Sequence, residues 1–460
     1  MLPSLLEILI TDIPVIALSV HLIVGTVADV SVDEHRSTSP ETAPMPVVGG
    51  PRRWQNSVES LSHSEYRRYA LGLLSSSAGL WIARIATDWL VLELTGSVAL
   101  LGIVIAVQLA PPMLLGAWGG VISDWMPARI AVVSTQLLFA GLYVLLGIIV
   151  LQGDVAPFWV FVVSAGVGIV SCLDGPSRAV LTSQTVTVSA FPNAISVNAV
   201  IPQLGGIFGA MLAGAAIAIF DIGITMIFAA AGLAVGAIAT AFIRSQRLVP
   251  RPAASGALNQ RGQIREAIRY VRRKPAIMLS ILMLGVLSLS GLSASVLLAW
   301  MADTKFDSGA TGYSLYATAA SVGALVGGLL STSRRNFTVR GNAVALAVSA
   351  LPWLLCGLTT WPGVFLVAIA GASTARLIFL IGNDTLTQLS TNLRIRGRVV
   401  ALYLMVATAG QVIASVLLGW IVTAWGGDVA FLLTGAFTLV TAIAVYALAP
   451  WAERPALTRA

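Results

Sequence analysis

Between Tyr69 and Trp451 the chain runs in long apolar stretches broken by brief polar interruptions. Most stretches reach about 20 residues, the length at which an α-helix crosses the hydrocarbon core of a bilayer. They predict twelve spans, at 69–94, 98–121, 129–151, 156–182, 193–219, 222–243, 276–301, 309–332, 341–360, 363–389, 398–424 and 428–450. The connectors "TGS", "QGDVAP", "FDIG", "TTWPG" and "WGGD" have room only for a reversal, so consecutive helices run antiparallel. One longer connector divides the spans six and six. The expected organisation is an N-terminal extension (1–62), a six-helix half (63–243), a linker (244–275), a second six-helix half (276–450) and a tail (451–460).

Composition strengthens this reading. Hydrophobic residues make up 57% of the 460 and charged residues only 10%, against roughly a quarter charged in a soluble domain. The fold class is an all-α polytopic membrane protein with twelve transmembrane helices in two pseudo-symmetric halves.

A net charge of +7 invites a nucleic-acid partner, but the bases follow the membrane. One set of connectors holds Asp154, Asp221, Asp303, Asp307 and Asp428 with the single base Lys305. The other side carries Arg52, Arg53, Arg67, Arg68, Arg129, Arg334, Arg335, Arg340, Arg394, Arg396, Arg398, Arg454 and Arg459, and the 244–274 connector adds nine more bases. Basic connectors stay in the cytoplasm. Both termini are therefore expected there, in a multi-pass protein of the inner (plasma) membrane with no nucleic-acid partner.

Within the linker, "VPRPAASGALNQ" reads as a flexible segment. "IREAIRYVRRKP" places Ile264, Ile268 and Val271 at helical spacing among arginines, as an amphipathic helix on the cytoplasmic membrane surface would; a solvated charged linker is the plainer alternative. In the extension, "IPVIALSVHLIVGTVADV" is apolar but short, contains Pro14 and lacks the basic start of a signal peptide. Residues 31–60 have a disordered composition, and Met45 offers a later start.

Cys172 and Cys356 both lie in apolar runs, which suits neither a disulfide framework nor a zinc site. His21, His35 and His63 all precede the first span, so proton chemistry inside the membrane would fall to carboxylates. The two lysines, Lys274 and Lys305, exclude a G-x-x-x-x-G-K-[ST] phosphate loop, and neither H-E-x-x-H nor G-x-S-x-G occurs. No enzyme activity, cofactor or metal is expected.

The halves echo each other. "GSVALLGIVIAVQLAPPMLLGAWGG" of the second span parallels "SGATGYSLYATAASVGALVGGLL" of the eighth, and "GAMLAG" (209–214) parallels "SVLLG" (415–419). A duplicated six-helix unit places a substrate site between the halves. The glycines of "GGIFGAMLAG" (205–214) predict close helix contact.

Ionisable groups inside a bilayer are costly and mark function or structural pairing. Arg84 and Asp88 share one face of the first span at i,i+4, as do Asp174 and Arg178 of the fourth. Arg376 and Asp384 occupy the tenth. Each pair reads either as glue between helices or as a proton-binding carboxylate with an arginine that holds substrate. Gln108, Asn198, Gln203, Tyr316, Asn383 and Gln411 are candidate polar groups on the same pathway, whereas Ser288, Ser290, Ser293 and Ser295 read as packing residues.

Gly120, Asp124 and Arg129, in "GGVISDWMPAR" between the second and third spans, match the G-x-x-x-D-[RK]-x-G-[RK]-[RK] signature of the major facilitator superfamily at that loop. Trp125, Pro127 and Ala128 depart from it. "DWLVLELTGS" (88–97), "DGPSRAVL" (174–181), "PNAISVN" (192–198) and "RIRGRVVALY" (394–403) resemble the branch that contains enterobactin exporters and related multidrug efflux proteins, over about residues 62–450. That branch usually has Gly-Pro in the fifth span where Gly209-Ala210 stands here.

The resemblance implies alternating access around a central cavity, with proton-driven efflux of a small amphipathic compound, a drug or siderophore, as the usual activity. It also implies a cytoplasmic gate in which Asp124 meets the positive N-terminal end of the eleventh span, here Arg394, Arg396, Gly397 and Arg398. Trp125 cannot supply the family's relay base, so Arg129 or Arg178 is expected beside Asp174. Lipid or lysophospholipid translocation and solute uptake remain alternatives. A transport-inactive receptor or secretion accessory would have little reason to keep the intramembrane pairs. The expected partners are a small-molecule substrate, protons and the bilayer, with the chain a monomer.

Overall fold

The computed structural model describes residues 59–153, 155–187, 189–248, 260–290, 294–331, 337–392 and 395–452. The extension to residue 58, Asp154, most of "VPRPAASGALNQ", Ser293, Arg334, Arg335, Arg394 and the tail from 453 lie outside the described residues, as do the side chains of Gly120, Asp124 and Ile264.

Among the described residues, twelve helical segments are long and apolar enough to cross a membrane. The first half comprises α1 (Ser64–Thr95), α2 (Val98–Asp124), α3 (Ala128–Leu151), α4 (Pro157–Thr185), α5 (Phe191–Ile219) and α6 (Ile222–Ala241). The linker helix is α7 (Gln260–Arg272). The second half comprises α8 (Pro275–Ser290), α9 (Ala294–Trp300), α10 (Gly309–Ser331), α11 (Val339–Leu358), α12 (Pro362–Leu389), α13 (Arg396–Trp425) and α14 (Gly427–Ala452).

The short connectors work as paired caps. In "TGS", Gly96 takes a left-handed conformation at φ 59° and its N–H closes on Leu92 O, while Ser97 accepts from Leu100 N to start α2. In "FDIG", Asp221 caps α6 by accepting from Gly223 N at 3.0 Å. Pro157, Pro275 and Pro362 occupy first helical positions, where the missing N–H costs nothing.

Three expectations shift. The second span stays helical to Asp124, which shrinks its loop to Trp125–Pro127. The seventh span, expected over 276–301, runs over Pro275–Lys305, with α8 and α9 its described parts on either side of residues 291–293, which lie outside the described residues, and it continues through a π-helical turn, Met301–Lys305. Lys305 therefore belongs to a helix end, where it pairs with Asp428 at the start of α14. The linker helix forms, but it does not only lie on the membrane. Ala267 and Val271 are buried, Val271 clustering with Ile277, Ile395 and Val399 of α8 and the α13 entrance, whereas Ile268 is exposed.

The halves meet twice through the same kind of contact. α2 packs on α13, and α5 packs on α10, the equivalent pair with the halves exchanged. A Cβ at Gly102 would stand 2.1 Å from Ser415 O, one at Gly419 2.9 Å from Val98 O, and one at Gly214 2.6 Å from Ser314 Cβ. These approaches lie at the ends of the spans remote from the arginine-rich connectors. The halves are thus closed on each other at the arginine-poor side. The "GGIFGAMLAG" glycines serve two faces: Gly205 and Gly209 lie against Ser77 and Ala78 of α1, and Gly206 and Gly214 against Ser321 and Ser314 of α10.

Candidate transport site

Where α1 meets the second half, a polar network bridges the two. Asp88 is 2% exposed and accepts from the Tyr313 hydroxyl of α10 at 2.6 Å. Arg84, one turn earlier on α1, approaches Asp88 Oδ2 with its Nε at 3.9 Å and donates from Nη2 to Ser295 Oγ of α9 at 3.2 Å. Its guanidinium also lies 5.7 Å from the Trp81 ring centroid. The Arg84 side chain keeps 36% exposure, so Asp88 is sealed in the interface while its partner still reaches open space. Hydrogen bonds to a charged group contribute about 1.5–3 kcal/mol. The short Tyr313 bond is thus a substantial tie between the halves.

Arg376 lies on α12 in the opposite half and is half-buried. It has no hydrogen bond or ion pair among the described residues, and its Nε is buried without a partner. The expected pairing with Asp384 does not form. Eight residues of helix separate the two by about 12 Å along the axis, and Asp384 instead accepts from Gln388 Nε2 at 3.0 Å.

A second network lies inside the first half, towards the arginine-rich side. Arg178 Nε donates to Asp174 Oδ2 at 2.6 Å, and Thr135 Oγ1 of α3 donates to Asp174 Oδ1 at 2.7 Å. Ser76 and Tyr69 of α1 touch Arg178, and Thr182 links it to Asn198 of α5, which Tyr66 also holds. Of the two bases expected beside Asp174, Arg178 is there. Arg129 instead donates to Ile243 O at 2.7 Å and Ala241 O at 3.4 Å, closing the last turn of α6.

The remaining candidates scatter. Asn383 is fully buried and donates to Ser280 O and Tyr403 Oη, joining α12, α8 and α13 inside the second half. Tyr316 is away from the Asp88 network, buried edge-on against Phe365 at 4.8 Å between ring centroids. Tyr313, one turn earlier on the same face, is the tyrosine that reaches Asp88. Gln108, Gln203 and Gln411 are partly exposed on α2, α5 and α13. At the expected gate, Gly397 is exposed, Arg396 has a buried Nε with no partner, and Arg398 pairs with Glu266 of α7.

Sequence reasoning missed Tyr313, Ser295 and Trp81. Ser288 and Ser290 do bond back to their own helix carbonyls as packing residues, but Ser295 takes a bond from the other half. Arg84 was the available signal: a mid-membrane guanidinium needs acceptors and an aromatic face from neighbouring helices.

A model of the transmembrane secretion effector family matches residues 56–456. The chain belongs to that family, within the major facilitator superfamily of membrane transporters. Solved transporters share the fold. A bacterial homologue of the human lysosomal transporter Spinster, inward-facing and unoccupied, superposes with a TM-score of 0.65 at 16% identity over 87% of this chain and 98% of its own. A mutant of the peptide transporter POT with bound sulfate gives 0.67 at 15% identity over 85% and 95%. A mutant of the nucleoside transporter NupG gives 0.64 at 15% identity over 83% and 99%. Among curated protein sequences, none matches.

Proposed function

We propose that this family member is a secondary active transporter that exports a small amphipathic compound in exchange for protons. The arginine-rich side would face the cytoplasm, as the distribution of basic connectors favours. The observation that carries the reading is the Asp88–Tyr313 bond: a buried carboxylate on one half held by a hydroxyl on the other. Opening of the arginine-poor side must part α1 from α10 and break it. A carboxylate that loses a donor takes up a proton more readily, so Asp88 would load its proton as it meets the outside. Return to the closed state, with Tyr313 and Arg84 back in place, would release the proton inward. Solute uptake would use the same site with the solute carried in the other direction, so the test reads direction as well as coupling.

The test is transport in inverted membrane vesicles with a pH-sensitive dye and a panel of anionic, cationic and zwitterionic amphiphiles. The expected result is a substrate-dependent proton leak that disappears in Asp88→Asn. A leak of normal size in that variant would exclude Asp88 as the coupling acid. Solute that enters cells faster with the transporter than without it would replace export with uptake.

A further inference from the structure

At the arginine-rich rim of the first half we infer a binding site for an anionic phospholipid, its phosphate held by Arg68 and Arg244 and its acyl chains laid along α6. The inference needs only a chain in a bilayer and does not depend on what is transported. The start of α1 and the end of α6 pack together there and leave a groove of about 350 Å³, lined by Arg68, Leu71, Ala239, Phe242 and Arg244. Hydrogen bonds fix its charge. Arg68 Nη1 donates to both oxygens of Glu65, at 3.1 and 3.0 Å, and to Phe242 O at 3.3 Å. Arg129 donates to the carbonyls on either side, Ala241 and Ile243, so two guanidiniums bond adjacent carbonyls of one helix end. Arg244 comes next in the chain; it is exposed, and its backbone N–H donates to Glu65 at 3.0 Å. Three arginines thus gather round Glu65, which is buried and already bonded to Arg68 and the Arg244 N–H. Positive charge is left over at the rim, where a bilayer carries its phosphates.

The groove is also apolar. Leu71 is 65% and Phe242 69% exposed, large surfaces that acyl chains cover more favourably than water. Ile238 and Val235 are exposed on α6 at i−4 and i−7 from Phe242, so they continue the same face into the span. An apolar track that starts at two arginines and runs along a transmembrane helix has the outline of a phospholipid, head at the rim and chains below. A soluble phosphate compound would use the head end alone. Basic pockets between transmembrane helices hold anionic headgroups, and the guanidinium fork suits phosphate oxygens. No acidic residue lines the groove among the described residues. A zwitterionic head, whose phosphate arrives with an ammonium, therefore gains less.

Quenching by brominated acyl chains tests this at the site itself. The probe is a bimane on Val235→Cys, in the full chain with Cys172 and Cys356 replaced. The chain is held in phosphatidylcholine nanodiscs with a rising fraction of brominated phosphatidylglycerol or, in parallel, brominated phosphatidylcholine. Phosphatidylglycerol should half-quench at about one-fifth of the fraction that phosphatidylcholine needs, or less, since each base near the surface strengthens anionic-lipid binding about fivefold. Arg244→Gln should bring the two curves to within about twofold, as should about 1 M salt, which screens the charge without a mutation. Glycerol phosphate, a head without chains, should leave the quenching unchanged. Equal quenching by the two lipids at low salt overturns the inference, as does a preference that survives both Arg244→Gln and high salt. Relief of quenching by glycerol phosphate overturns it too, because the groove would then be a site for free phosphate compounds.

Discussion

At the scale of single residues, the two ion pairs on i,i+4 positions have different characters. Asp174 and Arg178 are each about one-seventh exposed, bonded at 2.6 Å and surrounded by donors and acceptors from their own half. Removing one partner strands a charge, so Asp174→Asn should destabilise by about 3–5 kcal/mol. Thermal unfolding in detergent should show a clearly lowered transition for Asp174→Asn, and a smaller loss of about 1 kcal/mol for Thr135→Val. Equal transitions for wild type and Asp174→Asn would remove the structural role. Asp88 is the opposite case: its tie crosses between halves, so its neutralisation should show in transport. Tyr313→Phe deletes only the hydroxyl. It should reduce coupled proton flux severalfold while substrate affinity changes by less than about threefold, a split that equilibrium binding and vesicle flux measure together.

At the scale of elements, the contacts between halves depend on small residues where helices cross. Gly102 has no space for a methyl group, since its Cβ would sit 2.1 Å from a backbone oxygen that no rotamer can move. Gly102→Val should wedge α2 away from α13 and favour the state open on the arginine-poor side. A maleimide probe should then label a cysteine placed at Ala106 in the variant and not in the parent. Labelling that is the same in both would show that this crossing does not hold the closure.

The linker helix supplies a second control. Glu266 pairs with Arg398, and the Tyr270 hydroxyl accepts from Asn392 N, so α7 is fastened at the α13 entrance where the sequence resemblance places Asp124. Glu266→Gln should release Arg398 and shift the conformational balance, read as a change in transport rate of about two- to threefold with the fold unaltered. An unchanged rate would leave α7 a passive connector.

At the scale of the whole molecule, the sequence was legible where one physical signal dominated. Apolar length alone placed the twelve spans. The glycine run of α5 announced close packing without telling that it serves α1 and α10 at once, because a glycine pattern carries no partner name. Asp88, Arg84 and Arg376 stood out because charge is rare in this chain. Their partners did not, because Tyr313 and Ser295 are ordinary membrane residues until the fold brings them to Arg84 and Asp88.

The central claim is that protonation of Asp88 decides whether the halves stay closed on the arginine-poor side. The most direct measurement is the distance across that side as a function of pH. Spin labels at Leu151→Cys and Trp425→Cys, exposed ends of α3 and α13 in opposite halves, would be read by pulsed electron paramagnetic resonance with Cys172 and Cys356 replaced. The account predicts a longer-distance population that grows as pH falls in the otherwise native chain and is present at every pH in Asp88→Asn. A distance distribution that ignores both pH and Asp88→Asn would contradict it.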